Sequence, residues 1–414
     1  MDKVLFLSGT TRGGALEGIG RAFAPVLRNM DLELVEVSLF ELDRLLQVLQ
    51  GPCVSKIRFV LSWAGMGMDI GVEENGRKIN VWQELGIPLI TLHGDSPTYF
   101  FDRHKVAGNL FISLYGFAEH CEMRRRLPAR NGPVGAIPPI LLDRIALDDL
   151  DLRAKRDGTL LFLKNGRDPA EIRRMWQAGV AQRVRQALFE LAGELERCLD
   201  CATHLRIDDA VTQYFNDRDL DIQQMANLRL FFVAQLDDYI RAVKCTRMAE
   251  WLMDFPVHIR GNNWGHLDFT GKKAICIDDC NYVDSIQLIR DSLGAIDVSP
   301  NTRSMPHDRV MRAYGSHTLC LTNAGQGFTA ELPHPHELTF SFNKESLQSA
   351  VAALLDDPSA AIDKGVEVAE AFSKLHPPER SFEKMLDCAA FARLDQTKSR
   401  PPGFQDFFLW PPRK

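Results

Sequence analysis

Short apolar runs of strand length alternate along this chain with stretches whose apolar positions recur at helical spacing. Val4 to Ser8, Leu32 to Val37, Val54 to Trp63, Ile87 to His93, Leu110 to Leu114 and Val134 to Pro138 are the short runs of the first third. A helix is predicted around Glu41 to Leu49, and another where the glycine-bearing loop Gly9 to Gly20 gives way to Arg21-Ala22-Phe23. Strands alternating with helices predict a parallel sheet with right-handed crossovers over residues 1–150.

The charged stretch from Asp143 to Asp157 has no strong period and reads as a linker. The rhythm restarts with Thr159 to Leu163, then Val257 to Gly261, Ala274 to Ile277, Ala295 to Val298 and Thr318 to Thr322. Leu338 to Phe342 reads as a short edge strand, and Ser346 to Leu355 and Ala360 to Leu375 as helices. Residues 170–253 are almost wholly helical by pattern, with Val184, Leu188, Leu191 and Leu195 at helical spacing. The expected class is therefore α/β: two Rossmann-like domains, 1–150 and 158–380, with a helical insertion at 170–253 and a tail at 381–414. Open α/β sheets bind ligands at the carboxyl ends of their strands, and two such sheets facing each other leave a cleft between them.

Composition narrows the partners. The 414 residues suit two or three domains, because single cores stop growing at about 250–300 residues. A chain that is 45% hydrophobic and 25% charged is an ordinary globular protein, and its net charge of −6 argues against nucleic acid. The first apolar run is too short for a signal peptide, and no run approaches the roughly 18 residues of a spanning helix. A cytoplasmic protein without an integral membrane segment is expected. Its nine cysteines are scattered, so Cys198 and Cys201, and Cys276 and Cys280, read as reduced thiols. Asp278-Asp279 lies at a strand end with no partner pattern and reads as a surface turn.

The richest candidate chemistry lies in the stretch from Asp297 to Gly315, where a strand passes through a polar loop into a short helix. Unpaired N–H groups and the helix dipole favour an anion at such a corner. Arg309, with His307 and Asn301 beside it, suits a diphosphate, because a guanidinium binds two phosphate oxygens at once. The alternative for Arg309 is a surface pair with Asp308 or Glu331. Lys164, Asn165 and Gly166 follow the first strand of the second half and are read as lining the same site, or as a plain turn. Asn262, Asn263 and Trp264 follow its second strand, with Trp264 either stacking on a base or filling the core. Asn323 is a lesser candidate on an adjacent loop. In the first half, Asp95 ends a strand and is read as a general base or a helix cap, with His93 as its rival. Gly13 and Gly14 fit neither a phosphate-binding loop with Lys-Ser/Thr nor a dinucleotide fingerprint, and are read as flexible backbone shaping a binding site, or as a tight turn.

These parts in this order resemble glycosyltransferases of the two-Rossmann-domain (GT-B) type, and more narrowly the CgeB-like (spore maturation protein) group. The resemblance is carried by Pro88 to Pro97, by Phe255-Pro-Val-His-Ile-Arg-Gly-Asn-Asn-Trp264, by His307 to Gly315, and by Phe342 to Pro358. It implies a nucleotide-diphosphate-sugar donor bound by the second domain and a glycan, protein or small-molecule acceptor bound by the first. It also implies no separate cofactor, a metal-independent reaction, and a tail from Ser381 to Trp410 that returns to the first domain. A nucleotide-sugar epimerase or hydrolase of the same fold, or a non-catalytic binding protein, are the alternatives. Retaining enzymes of this type often carry a Glu where this chain has Arg309-Val310, so the resemblance leaves the stereochemistry open.

Overall fold

Two parallel sheets with helices packed against them organise the chain. The structure is a computed structural model that describes residues 1–9, 15–74, 77–106, 108–127, 132–137, 140, 144–156, 158–200, 206–323 and 326–397. The chain divides into two compact units, Met1–Leu142 with His376–Lys414, and Asp143–Leu375.

The first unit begins with β1 (Asp2–Ser8), α1 (Ala15–Asn29), β2 (Leu32–Ser38), α2 (Leu42–Gln50) and β3 (Ile57–Trp63). A hairpin of β4 (Gly71–Glu74) and β5 (Arg77–Asn80) follows, which the apolar pattern does not predict. Then come α3 (Val81–Glu84), β6 (Leu89–His93), β7 (Phe111–Tyr115), α4 (Ala118–Arg125) and β8 (Val134–Ala136). The six-stranded sheet runs β2-β1-β3-β6-β7-β8, every pair parallel. Its central strands are buried on both faces, which is why they read as continuous apolar runs. The third run begins with a single turn of 3-10 helix at Val54–Lys56, so the strand starts at Ile57.

The second unit opens with α5 (Leu152–Arg156), a short helix inside the stretch expected to be a linker. Its Lys155 is buried, which anchors a segment that charge alone made look solvated. Next are β9 (Leu160–Leu163) and the helices α6 (Pro169–Gly179), α7 (Gln182–Asp200), α8 (Ile207–Asn216) and α9 (Ala226–Leu252). The alternation then resumes: β10 (Val257–Arg260), β11 (Ile275–Ile277), α10 (Tyr282–Asp291), β12 (Gly294–Asp297), α11 (Asp308–Gly315), β13 (Leu319–Thr322), α12 (Gln326–Thr329), α13 (Lys344–Asp356) and α14 (Pro358–Leu375). The five strands run β11-β10-β9-β12-β13, all parallel. Strand order reverses between β9 and β12, and in such sheets the crevice at that point is where ligands bind. The edge strand expected at Leu338–Phe342 does not form. Only one isolated bridge, Thr322 with Thr339, is made there, while the backbone turns toward α13.

The last helix, α15 (Pro378–Thr397), belongs to the first unit. Phe382, Met385, Cys388, Ala389 and Ala392 recur at helical spacing and join Phe6, Phe23, Phe59 and Ile90 in one core. The described residues contain no helix long and apolar enough to cross a membrane.

Candidate functional site

Two loops of the second unit are locked together beside its switch point. Gly261 closes β10 with φ +156°, and a Cβ there would meet the Lys164 carbonyl oxygen at 2.1 Å, so only glycine lets the two strand ends approach. Asn262 N donates to Asn165 Oδ1 at 2.8 Å, and Gly166 N donates back to the Asn262 carbonyl at 2.8 Å. Trp264 Nε1 donates to the Lys164 carbonyl at 2.9 Å, and its ring lies 2.6 Å from where a Cβ on Gly166 would be. Trp264 is only 3% exposed and stacks on His266, so its indole is a prop under the Lys164 loop and not an open platform for a base. The alternative reading of this residue, core filling, fits its burial. Asn263 takes a left-handed φ of 64°, which asparagine tolerates. It lines a cavity of ≈ 570 Å³ with Arg167, Asp168, Glu171, Gly265 and His266.

Across the switch point, Asp297 ends β12 and is 1% exposed. Arg309, in the first turn of α11, donates through Nε to Asp297 Oδ1 at 3.0 Å. Burial alone raises a carboxyl, but Arg309, His307 and Lys164 together hold that of Asp297 below the usual carboxylate range. Asp297 Oδ2 and Arg309 Nη2 are buried with no hydrogen-bond partner, and both point to an unmet polar interaction. The N-terminus of α11 is not the open anion seat the sequence suggested. Its first turn carries its own carboxylate, Asp308, which contacts His307 Nδ1 and accepts from Arg312 Nη2 at 2.9 Å. Burial, and then Arg309, push His307 toward the neutral form.

Sequence reading missed the third side of this site, which comes from α9. Lys244 Nζ donates to the Ser299 carbonyl at 2.8 Å. Asn301 Nδ2 donates to the Asp237 carbonyl at 3.2 Å and to Asp237 Oδ1 at 2.9 Å, and Arg241 pairs with Asp237 at 3.0 Å. Asn323 Oδ1 accepts from Ser299 N at 2.8 Å, so this asparagine braces the loop after β12. Asp237, Arg241 and Lys244 are spaced i, i+4, i+7 on a helix otherwise rich in buried apolar residues. A polar stripe at helical spacing on such a helix was the available signal.

The cluster is short of negative charge. Lys164, Arg241, Lys244 and Arg309 are four cations that interact with two buried carboxylates, Asp237 and Asp297. The neighbouring Asp238 is already paired with Arg167. Burial pushes the Lys164 amine down, with Arg309 adding to it, and burial pushes Lys244 down to about 8. A surplus of positive charge, with Lys244 buried and Lys164, Arg241 and Arg309 half-buried, favours an anion beside it. Among the described residues, no three His, Cys, Asp or Glu side chains assemble as a metal site.

In the first unit, His93 and Asp95 both lie at the carboxyl end of β6. His93 is buried and stacks on Tyr115 with ring centroids 4.6 Å apart, as its core-facing alternative required. Asp95 is exposed. Gly13 and Gly14 lie outside the described residues.

No protein-family model matches this chain, and no curated protein matches it in sequence. Among solved structures it is similar to a DNA-modifying β-glucosyltransferase studied with and without uridine diphosphoglucose, at 8% identity and a TM-score of 0.48, over 94% of this chain and 100% of that one. It is also similar to an α-glucosyltransferase in complex with UDP-glucose and DNA containing an abasic site, at 8% identity and a TM-score of 0.47, over 94% and 99%. A third is S. aureus MnaA with UDP, at 10% identity and a TM-score of 0.40, over 98% and 100%.

Proposed function

We propose that this chain is a glycosyltransferase that binds a nucleoside-diphosphate-sugar in its second unit. The observation that supports the reading is the surplus of cations, Lys164, Arg241, Lys244 and Arg309, where strand order reverses between β9 and β12. When the bond between the anomeric carbon and the diphosphate breaks, the electron pair leaves on the diphosphate. Fixed cations stabilise that charge best when they are oriented beforehand, as Arg309 is by Asp297. The acceptor oxygen bonds to the anomeric carbon and gives up its proton. Asp95 is our choice for receiving it, because it is exposed at a strand end while His93 is buried. The acceptor is a glycan, a protein or a small molecule, no resident cofactor or metal takes part, and the reaction runs in the cytoplasm.

Isothermal titration with UDP, dTDP, GDP and CDP tests the donor half. Binding of one of them, lost in Arg309→Ala, is expected, and failure of all four to bind the wild type overturns the reading. Product analysis with the matching sugar nucleotide then separates transfer from epimerisation. Asp95→Asn is expected to lower transfer by about 10²–10⁴-fold with nucleotide binding intact. Unchanged transfer would remove Asp95 from the mechanism.

A further inference from the structure

Helix α9 grips one short stretch of loop, by a backbone carbonyl and by a side chain, from two of its turns. Asp237 and Lys244 lie seven residues apart, which places them on the same side of the helix, and both are almost fully buried. Lys244 holds the Ser299 carbonyl, and Asp237 holds the Asn301 side chain through both its carbonyl and its carboxylate. From β13, Asn323 holds the Ser299 N–H. Residues 299–301 are therefore fixed at three points, and the loop they belong to starts at Asp297 and ends at Arg309.

The choice of a lysine is what points beyond packing. The Lys244 ammonium meets the Ser299 carbonyl, a long contact of 3.5 Å to the Ser299 hydroxyl and the Phe342 ring at 5.7 Å, all neutral groups, and burying a charge costs more than such contacts return. Its neighbours include two further cations, Lys164 and Arg241, so the arrangement becomes favourable once an anion arrives. Asn301 Oδ1 and the Thr302 hydroxyl are buried without partners in the same loop.

We propose that α9 is a clamp on the donor loop, in which Lys244 and Asp237 are positioning residues that hold 299–301 so that Arg309 meets a bound diphosphate. This rests on the nucleotide reading above and assigns the helical insertion a place in donor binding. The clamp keeps the loop ordered before the ligand binds, and the charge of Lys244 adds to the attraction for the second phosphate.

The test uses the full-length protein, titrated calorimetrically with UDP and with UMP, and with hydrogen exchange followed across residues 298–307. Lys244→Met is expected to weaken UDP by about ten- to hundredfold, the range for a lost charged hydrogen bond. It should weaken UMP less and speed exchange in the loop. Asn301→Ala, which leaves every charge in place, should speed exchange and weaken UDP by a smaller factor. Equal losses for UDP and UMP in Lys244→Met would overturn the charge role. Wild-type UDP affinity in both variants would overturn the clamp while leaving donor binding in place. If the wild type binds neither UDP nor dTDP, GDP or CDP, the donor reading fails and the clamp falls with it. If Lys244→Met does not fold, Asn301→Ala decides alone.

Discussion

Arg309 donates through Nε to Asp297 Oδ1 at 3.0 Å, and these two residues stand at opposite ends of a single loop, one closing β12 and the other in the first turn of α11. The pair fixes the guanidinium by one edge and leaves Nη2 unmatched.

Removing one member strands a buried charge. Arg309→Met is expected to lower stability by about 3–5 kcal/mol in urea unfolding and to abolish nucleotide binding. The double change Asp297→Asn with Arg309→Met should regain most of that stability and none of the binding. Recovery of binding in the double variant would show that Arg309 serves the fold alone.

The approach of β9 and β10 depends on Gly261. Gly261→Ala is expected to cost about 2–3 kcal/mol, since the methyl meets a carbonyl oxygen that no rotamer can move aside. It should also weaken nucleotide binding by displacing Lys164. Gly265→Ala, in the same loop, has nothing within 4 Å of the added carbon and is the control. Thermal unfolding of the two variants checks this.

Phe382 ties α15 into the first unit. Its ring meets that of Phe23 edge-on, with centroids 5.2 Å apart, and it is fully buried. Phe382→Ala should cost about 3–5 kcal/mol, read from the fluorescence of Trp63 and Trp82 in that unit. A loss below about 1 kcal/mol would mean the helix is dispensable.

Lys155 gives the protein a pH-dependent stability. Its Nζ donates to the Arg290 carbonyl at 2.9 Å and to Thr318 Oγ1 at 2.6 Å, and burial pushes its amine down to about 7 from 10.5. The folded state therefore releases this proton earlier than the unfolded state. The cost of burying the charge is present in full below pH 7 and is relieved as pH rises from about 7 toward 10.5. The Lys155→Met variant should lack this rise, worth on the order of a few kcal/mol, in urea melts from pH 7 to 10.

Much of this architecture was legible in the residues because both sheets are parallel and buried on both faces. Val4 to Ser8 and Leu110 to Leu114 fit interior strands in such a pattern. What escaped was set by partners distant in sequence. The absence of an edge strand at 338–342 depends on Thr322, a neighbour that a local window does not contain. At the site, Lys164 and Arg309 were read as candidates because they follow strands of the second sheet, where topology puts ligands. Lys244 and Asp237 were not, because they sit in mid-helix and their partners, Ser299 and Asn301, lie 55 and 64 residues away. For Trp264 the two readings, base platform and core filler, stay open in the sequence for a related reason: its burial depends on Gly166, almost a hundred residues earlier.

The discontinuity of the first unit carries a consequence for biosynthesis. Its core needs Phe382 and Met385, which the ribosome delivers only after all of Asp143–Leu375 has been made. At about 5–20 residues per second, the nascent first unit waits roughly ten to fifty seconds with an apolar face uncovered, while the second unit, a continuous segment, emerges and folds first. The amino-terminal half is thus the last to be completed, and it is the half that a chaperone would meet.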